Sequence, residues 1–423
     1  MAISSVFPVA IPAGRTGIKP VLERISLSRG AKFTLFTLLL LTLIVLILSE
    51  ITLRYAWTPP KKIYDYSHPY IPRKIGAGVA VAYQSDSVTG FSGEYKFQTG
   101  PLGYRTKSVL SREKEDGAYR IFFLGGSTTI CSYLPLEHVF SQLVEDGLNQ
   151  SGLGYEFQCA NGGVDGGQTR DTLALLNQDV VLTNPDCVVV MHAINDLIAG
   201  LAREFDSAEV DRRAARSKAK RMYRDIYGAP RPYVYLFYKS LRQLHSDRFT
   251  LSHILKERHS RSEFPEQEVS SFPNVIYFEK FLRSIVGSCQ ACGTRVVLMT
   301  QPSLYRKDLS AEEKDRIWCS FHPKDGVNPT PESMVAGMAV YNDATRRIAA
   351  EMGAELIDLA PKVPRTLNYM YDDVHYTVEG NRRVADEVIG HFLESFSSDD
   401  PDPDTHIEDS TLPHLSAANR ISY

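Results

Sequence analysis

Ser127 stands directly behind the apolar run Ile121-Phe122-Phe123-Leu124 and the pair Gly125-Gly126, so a hydroxyl follows a buried strand and a tight turn. Glycines there let the backbone bend sharply and approach a substrate with no Cβ in the way. Far along the chain, Asp372 precedes His375 by three residues in Tyr371-Asp372-Asp373-Val374-His375-Tyr376-Thr377. At that spacing a carboxylate can bond Nδ1 of the imidazole and leave Nε2 for a serine, which makes a weak hydroxyl a nucleophile. Asn195, in His192-Ala193-Ile194-Asn195-Asp196, brings an amide donor. Gly166 lies in the glycine-rich stretch Asn161 to Thr169, whose N–H groups can face an anion. Taken singly, each has a plainer reading: a turn, a helix cap, a surface histidine.

These residues need elements to bring them together. Strands are expected at Ile121–Leu124, Glu156–Ala160, Cys187–Met191, Arg295–Met299 and Glu355–Ile357. Helices are expected at Leu136–Leu148, Thr169–Leu182, around Tyr277–Val286, at Met338–Met352 and at Val378–Phe396. Strands alternating with helices specify a parallel sheet in a three-layer α/β/α domain. Ser127, Gly166 and Asn195 each follow a strand, at the edge where open sheets of this kind bind ligands. Cys187 opens a valine run and reads as a core residue.

Apolar residues at 43% and charged residues at 23% of 423 are ordinary for a globular protein. A net charge of -3 gives no case for nucleic acid, and the basic stretch Arg212 to Arg224 reads as a solvated helix face. Neither glycine turn carries the lysine of a phosphate-binding loop. Cys289 and Cys292 could form a disulfide, while a zinc site would need a second pair that the sequence lacks. No metal and no cofactor is called for.

Residues 1–31 form a polar tail, followed at 32–53 by a segment in which Glu50 is the one charge beyond Lys32. That length and composition suit a bilayer span, with Tyr55 and Trp57 in the aromatic belt. The long polar lead and the absence of a small-residue cleavage site argue against a signal peptide. A slight excess of cations before the span places everything after Trp57 outside the cytoplasm. Residues 54–117, rich in Pro, Tyr, Gly and Ser, read as a stalk and extension. The domain proper is 118–397, interrupted at 201–272 and 303–331 by stretches too long for ordinary connections, which are candidate lids. The aromatic run Tyr233 to Tyr238 could line a cleft or touch a membrane, with core packing the favoured reading. Residues 398–423 are Asp-, Ser- and Pro-rich and expected to be disordered.

In their order along the chain, the candidate blocks resemble the SGNH hydrolases, also called GDSL-type lipases and acylhydrolases. Leu124-Gly125-Gly126-Ser127 matches the nucleophile block, and Asn161 through Gly166 the Asn-x-Gly-x-x-Gly loop. Ala193-Ile194-Asn195-Asp196 matches Gly-x-Asn-Asp, and Asp372 through His375 matches Asp-x-x-His. Phe97 to Arg105 is similar to the lead-in of membrane-anchored bacterial members. The sequence departs in having Gly-Gly-Ser for Gly-Asp-Ser, Ala193 for a glycine, and a second carboxylate, Asp373, beside Asp372.

The resemblance implies a flavodoxin-like fold and acyl-ester chemistry. Ser127 would attack the ester carbonyl, with His375 as base and Asp372 orienting it. The oxyanion would be met by the backbone N–H groups of Ser127 and Gly166 and the Asn195 amide. The leading expectation is a membrane-anchored serine esterase acting on an acylated small molecule, lipid or carbohydrate. An O-acyltransferase modifying a surface polysaccharide is the alternative, and a catalytically silent binding or scaffold protein is a third.

Overall fold

The computed structural model describes residues 28–59, 63–201, 232–244, 251, 265–317 and 328–398. The amino-terminal tail up to residue 27, the basic stretch Arg212 to Arg224, most of the candidate lid 201–272, residues 318–327 of the candidate lid 303–331, and residues 399–423 fall outside them. By its contacts the chain divides into two units.

The smaller unit is built on helix α1, Arg29–Ala56. It is longer at both ends than the span expected from hydropathy. The Ser28 hydroxyl caps it by accepting from Ala31 N–H, and none of its residues is buried. At 28 residues it extends about 42 Å, more than a hydrocarbon core of about 30 Å requires. Near its end Glu50 accepts from the backbone N–H of Val234 at 3.1 Å, and Trp57 meets the rings of Tyr233 and Phe237 edge-on. The favoured core-packing reading of Tyr233 to Tyr238 is therefore corrected. The run begins helix α5 (Tyr233–Leu244), whose Tyr235 and Tyr238 are half or more exposed.

The larger unit carries a parallel sheet of β1 (Ala118–Gly125), β2 (Glu156–Asn161), β3 (Cys187–Met191), β4 (Arg295–Met299) and β5 (Glu355–Ile357). Its spatial order is β2-β1-β3-β4-β5, with every neighbouring pair parallel. This is the flavodoxin-like order, in which the chain reverses direction across the sheet between β1 and β3. The central strands β1, β3 and β4 are buried on both faces, which is why they read as near-continuous Val, Ile, Phe and Leu.

Alternate strand residues feed two cores. Phe122, Leu124, Val188, Val190 and Leu298 face helices α4 (Thr169–Gln178), α6 (Val275–Ala291) and α7 (Pro331–Met352). Phe123, Cys187, Val189, Met191 and Val297 face α3 (Phe140–Asn149) and α8 (Val378–Ser398). The expected helix at Leu136–Leu148 is split: a 3-10 turn over Leu136–His138 precedes α3, and Pro135 sets that turn's entry. Likewise α4 ends at Gln178, and a separate 3-10 turn covers Val180–Thr183. Cys289 is buried on α6 and Cys292 is exposed at its end, both as free thiols.

The extension beyond the expected stalk is folded. Tyr64–Asp65 pairs antiparallel with Lys74–Ile75, and Ala80–Ser85 with Gly93–Gln98. Ile75, Val79, Tyr83, Tyr95 and Phe97 form a third cluster that includes Ile130, three residues beyond Ser127.

Candidate active site

The turn after β1 leads into a single helical turn, α2 (Ser127–Ile130), with Gly126 before it and Ser127 as its first residue. Its early N–H groups lack partners within the helix, and Ser127 N–H is among them. Gly125 faces backbone and has no room for a side chain, while Gly126 is pressed against the end of the Asn195 side chain. A Cβ on Gly125 would lie 2.6 Å from the Met191 carbonyl oxygen, and one on Gly126 would lie 2.5 Å from Asn195 Nδ2. The turn ends at Cys131, a non-glycine residue held in the left-handed region at φ 49°.

That conformation is held from behind by the lead-in segment. The buried Arg105 guanidinium donates to the carbonyls of Ile130 at 2.7 Å, Cys131 at 2.9 Å and Leu134, while lying over the Phe97 ring. A planar fork with several fixed donors suits three converging carbonyls, which a lysine could not serve equally. The Cys131 thiol is pushed up to about 12 by burial, so it is an inert packing group beside the serine.

From the far end of the domain, a loop closed by the Met370–Tyr376 bridge delivers Asp372 and His375. His375 Nε2 lies 2.8 Å from Ser127 Oγ, and its Nδ1 lies 2.8 Å and 3.0 Å from the two carboxylate oxygens of Asp372. Asp372, fully buried, also accepts from the backbone N–H groups of Val374 and His375. Those bonds lock its orientation. The Tyr371 ring stacks on the imidazole with planes 12° apart. Asp373 points elsewhere and accepts from the Tyr305 hydroxyl at 2.6 Å. Of the two adjacent carboxylates, Asp372 is the one bonded to the His375 ring.

The other two predicted positions converge on the same edge. Asn195 Nδ2 donates one N–H to the Gly167 carbonyl at 2.9 Å and sits against Gly126, leaving its second N–H beside the serine turn. Gly166 is exposed with φ +68°, and among the described residues nothing accepts from its N–H. Ala193, at the departure from the family pattern, is buried in the core.

Supporting residues lie just behind, and one of them, Gln301, belongs to none of the sequence blocks. Gln301, two residues past β4, accepts from Ile194 N–H at 2.9 Å and donates to Thr128 Oγ1 at 3.2 Å. It thereby ties the Asn195 loop to the serine turn. Its one sequence signal is a polar side chain immediately after an apolar strand. Asn161, fully buried, donates to the Thr129 carbonyl at 2.6 Å and accepts from Gly163 N–H at 3.0 Å, joining the serine turn to the glycine loop. Asp196 serves structure: it accepts from the N–H and hydroxyl of Thr169, and burial raises it to about 7. Neighbouring His192 is lowered by burial to about 3 and meets Thr172 Oγ1 at 2.8 Å.

A hydroxyl bonded to an imidazole, which is bonded in turn to a buried carboxylate, is arranged to lose its proton to Nε2 as it attacks a carbonyl. Residues 123–383 match the model of the GDSL-like lipase/acylhydrolase family. The chain belongs to that family. As a GDSL-like acylhydrolase it is a serine hydrolase acting on ester bonds. A search of curated proteins finds no match.

Among solved structures, the acylhydrolase is similar to the acetyl xylan esterase AlAXEase at 17% identity, covering 64% of this chain and 98% of that one with a TM-score of 0.37. It is also similar to Axe2, an acetylxylan esterase from Geobacillus stearothermophilus, at 16% identity, with 67% and 96% covered and a TM-score of 0.37. A putative acylhydrolase from Bacteroides fragilis matches at 14% identity, with 67% and 91% covered and a TM-score of 0.37.

Proposed function

We propose that this acylhydrolase is a membrane-anchored serine esterase whose nucleophile is Ser127, whose base is His375 and whose orienting carboxylate is Asp372. The observation that carries the reading is the unbroken path from the Asp372 carboxylate through both imidazole nitrogens to Ser127 Oγ. Ser127 attacks the ester carbonyl while Nε2 takes its proton. The tetrahedral oxyanion is met by the N–H groups of Ser127 and Gly166 and by the free N–H of Asn195. Nε2 then returns the proton to the leaving alcohol, and water attacks the acyl-enzyme with His375 again as base. The half-exposed Ser127 beside a nearly buried His375 is consistent with a shallow site open to an acyl or acetyl group on a larger carbohydrate or lipid.

Helix α1 supports the anchoring part of the reading: it is long enough to span, apolar, and free of buried contacts. A slight excess of cations before the span supports a domain outside the cytoplasm. One experiment tests both parts. Cells making the full chain are treated with a membrane-impermeant fluorophosphonate, and the labelled peptide is mapped. Labelling at Ser127, absent from Ser127→Ala, is expected. No label in lysed cells would remove Ser127 as nucleophile, whereas label appearing only after lysis would reverse the topology.

A further inference from the structure

The peptide unit between Asp165 and Gly166 supplies, through its N–H, one of the donors assigned above to the oxyanion. Its carbonyl end is held by a residue that no family block contains. Arg73 Nη2 donates to the Asp165 carbonyl oxygen, and the guanidinium lies 4.9 Å over the ring of Tyr64. The Tyr64 hydroxyl donates in turn to the Asp165 carboxylate, to which Ser132 Oγ also reaches at 3.3 Å and 3.4 Å. Arg73 and Tyr64 belong to the extension, where Tyr64–Asp65 pairs with Lys74–Ile75. Three bonds thus converge on Asp165 from outside the glycine loop.

In a trans peptide the C=O and N–H point in opposite directions, so what grips the oxygen also aims the hydrogen. No cis peptide occurs among the described residues. Such an anchor is needed because Gly166, at φ +68°, has a conformation from which a glycine can rotate its preceding peptide with little steric penalty. A rotated peptide would present a carbonyl oxygen to the developing oxyanion in place of a donor. A charged partner on the carbonyl also polarises the N–H at the other end of the same amide.

We infer that Arg73, supported by Tyr64, is a positioning residue that latches the Asp165–Gly166 peptide with its N–H facing the oxyanion, so that the extension completes the active site. The inference rests on the esterase reading above. Arg73 touches no reacting atom: it acts through the peptide it holds.

The test uses the full chain in detergent with p-nitrophenyl acetate as substrate and an alkyl boronic acid as tetrahedral analogue. Arg73→Ala is expected to lower kcat by about 10–10²-fold, somewhat less than the loss of a whole oxyanion donor, with KM changed less than about threefold. Boronate affinity is expected to fall in step with kcat. Arg73→Lys should recover part of the loss, and Tyr64→Phe should show the same split at smaller size. If Arg73→Ala does not fold, the lysine and phenylalanine variants are read in its place. Unchanged kcat overturns the latch, and so does a raised KM with unchanged kcat, which would make Arg73 a substrate contact. A wild type that neither turns over nor labels at Ser127 removes the esterase reading itself, so the two failures are distinguishable.

Discussion

Gly126→Ala is the substitution whose consequence follows most directly from the geometry. The added Cβ would lie 2.5 Å from Asn195 Nδ2, where ordinary contact begins at 3.4 Å. The Gly167 carbonyl, 3.4 Å from the same Cβ, is just tolerated, so the amide must yield. It retreats by about 1 Å, and a misplacement of that size at a catalytic group lowers turnover by about 10²-fold. Complete loss of an oxyanion donor lowers it by about 10²–10³-fold.

The full-length variant is therefore expected to keep its fold and its KM and lose about 10²-fold in kcat on p-nitrophenyl acetate, with active sites counted by burst titration. Asn195→Ala should lose as much or somewhat more. In the double variant the clash has no partner, so adding Gly126→Ala to Asn195→Ala should lower kcat little further. A folded Gly126→Ala enzyme with wild-type kcat would refute this account of the oxyanion site, as would fully additive losses in the double variant.

The two adjacent carboxylates should separate cleanly. Asp372→Asn is expected to lower kcat by about 10³–10⁴-fold with little change in melting temperature, as loss of the orienting carboxylate does in a triad. Asp373→Asn, which weakens the bond from the buried Tyr305 hydroxyl, should lower stability by about 1–2 kcal/mol and leave most turnover intact. Equal kinetic losses would undo the assignment.

Glu355 offers a pH test away from the site. Burial alone would raise it, but bonds from His391 and Arg295 hold it down at about 2. A depressed carboxylate stabilises the fold above its unfolded value of 4.5 and loses that contribution as pH falls toward about 2. Glu355→Gln should therefore be less stable at pH 7 by on the order of 1 kcal/mol, allowing for solvent screening at this half-exposed group. In urea titrations the gap should narrow as pH drops from 4.5, and a gap independent of pH would contradict it.

Much of the fold is legible in sequence because its cause is local. Cys187–Met191 is an unbroken apolar run because both sheet faces cover it, and its boundaries read correctly from composition alone. The 3-10 turn at Leu136–His138 was not legible, because Leu136, Val139 and Phe140 keep a helical spacing while Pro135 sets a different entry. The aromatic run Tyr233 to Tyr238 misled for the converse reason. Aromatic content signals burial somewhere, and its partner, Trp57, lies far away in the chain.

By itself the sequence determined the strands, the apolar span, the serine behind a glycine turn, and an aspartate three residues before a histidine. All are patterns of spacing along the backbone, and local stereochemistry reads them. The Asp-x-x-His spacing already favoured Asp372 over Asp373; the tertiary structure added the loop curvature that aims Asp372 at His375 and Asp373 at Tyr305. It also placed Asn195 against Gly126, put Gln301 between the β1 and β3 loops, and set Arg73 on the peptide before Gly166. Those contacts join residues brought together by strand order and register, so no local pattern records them.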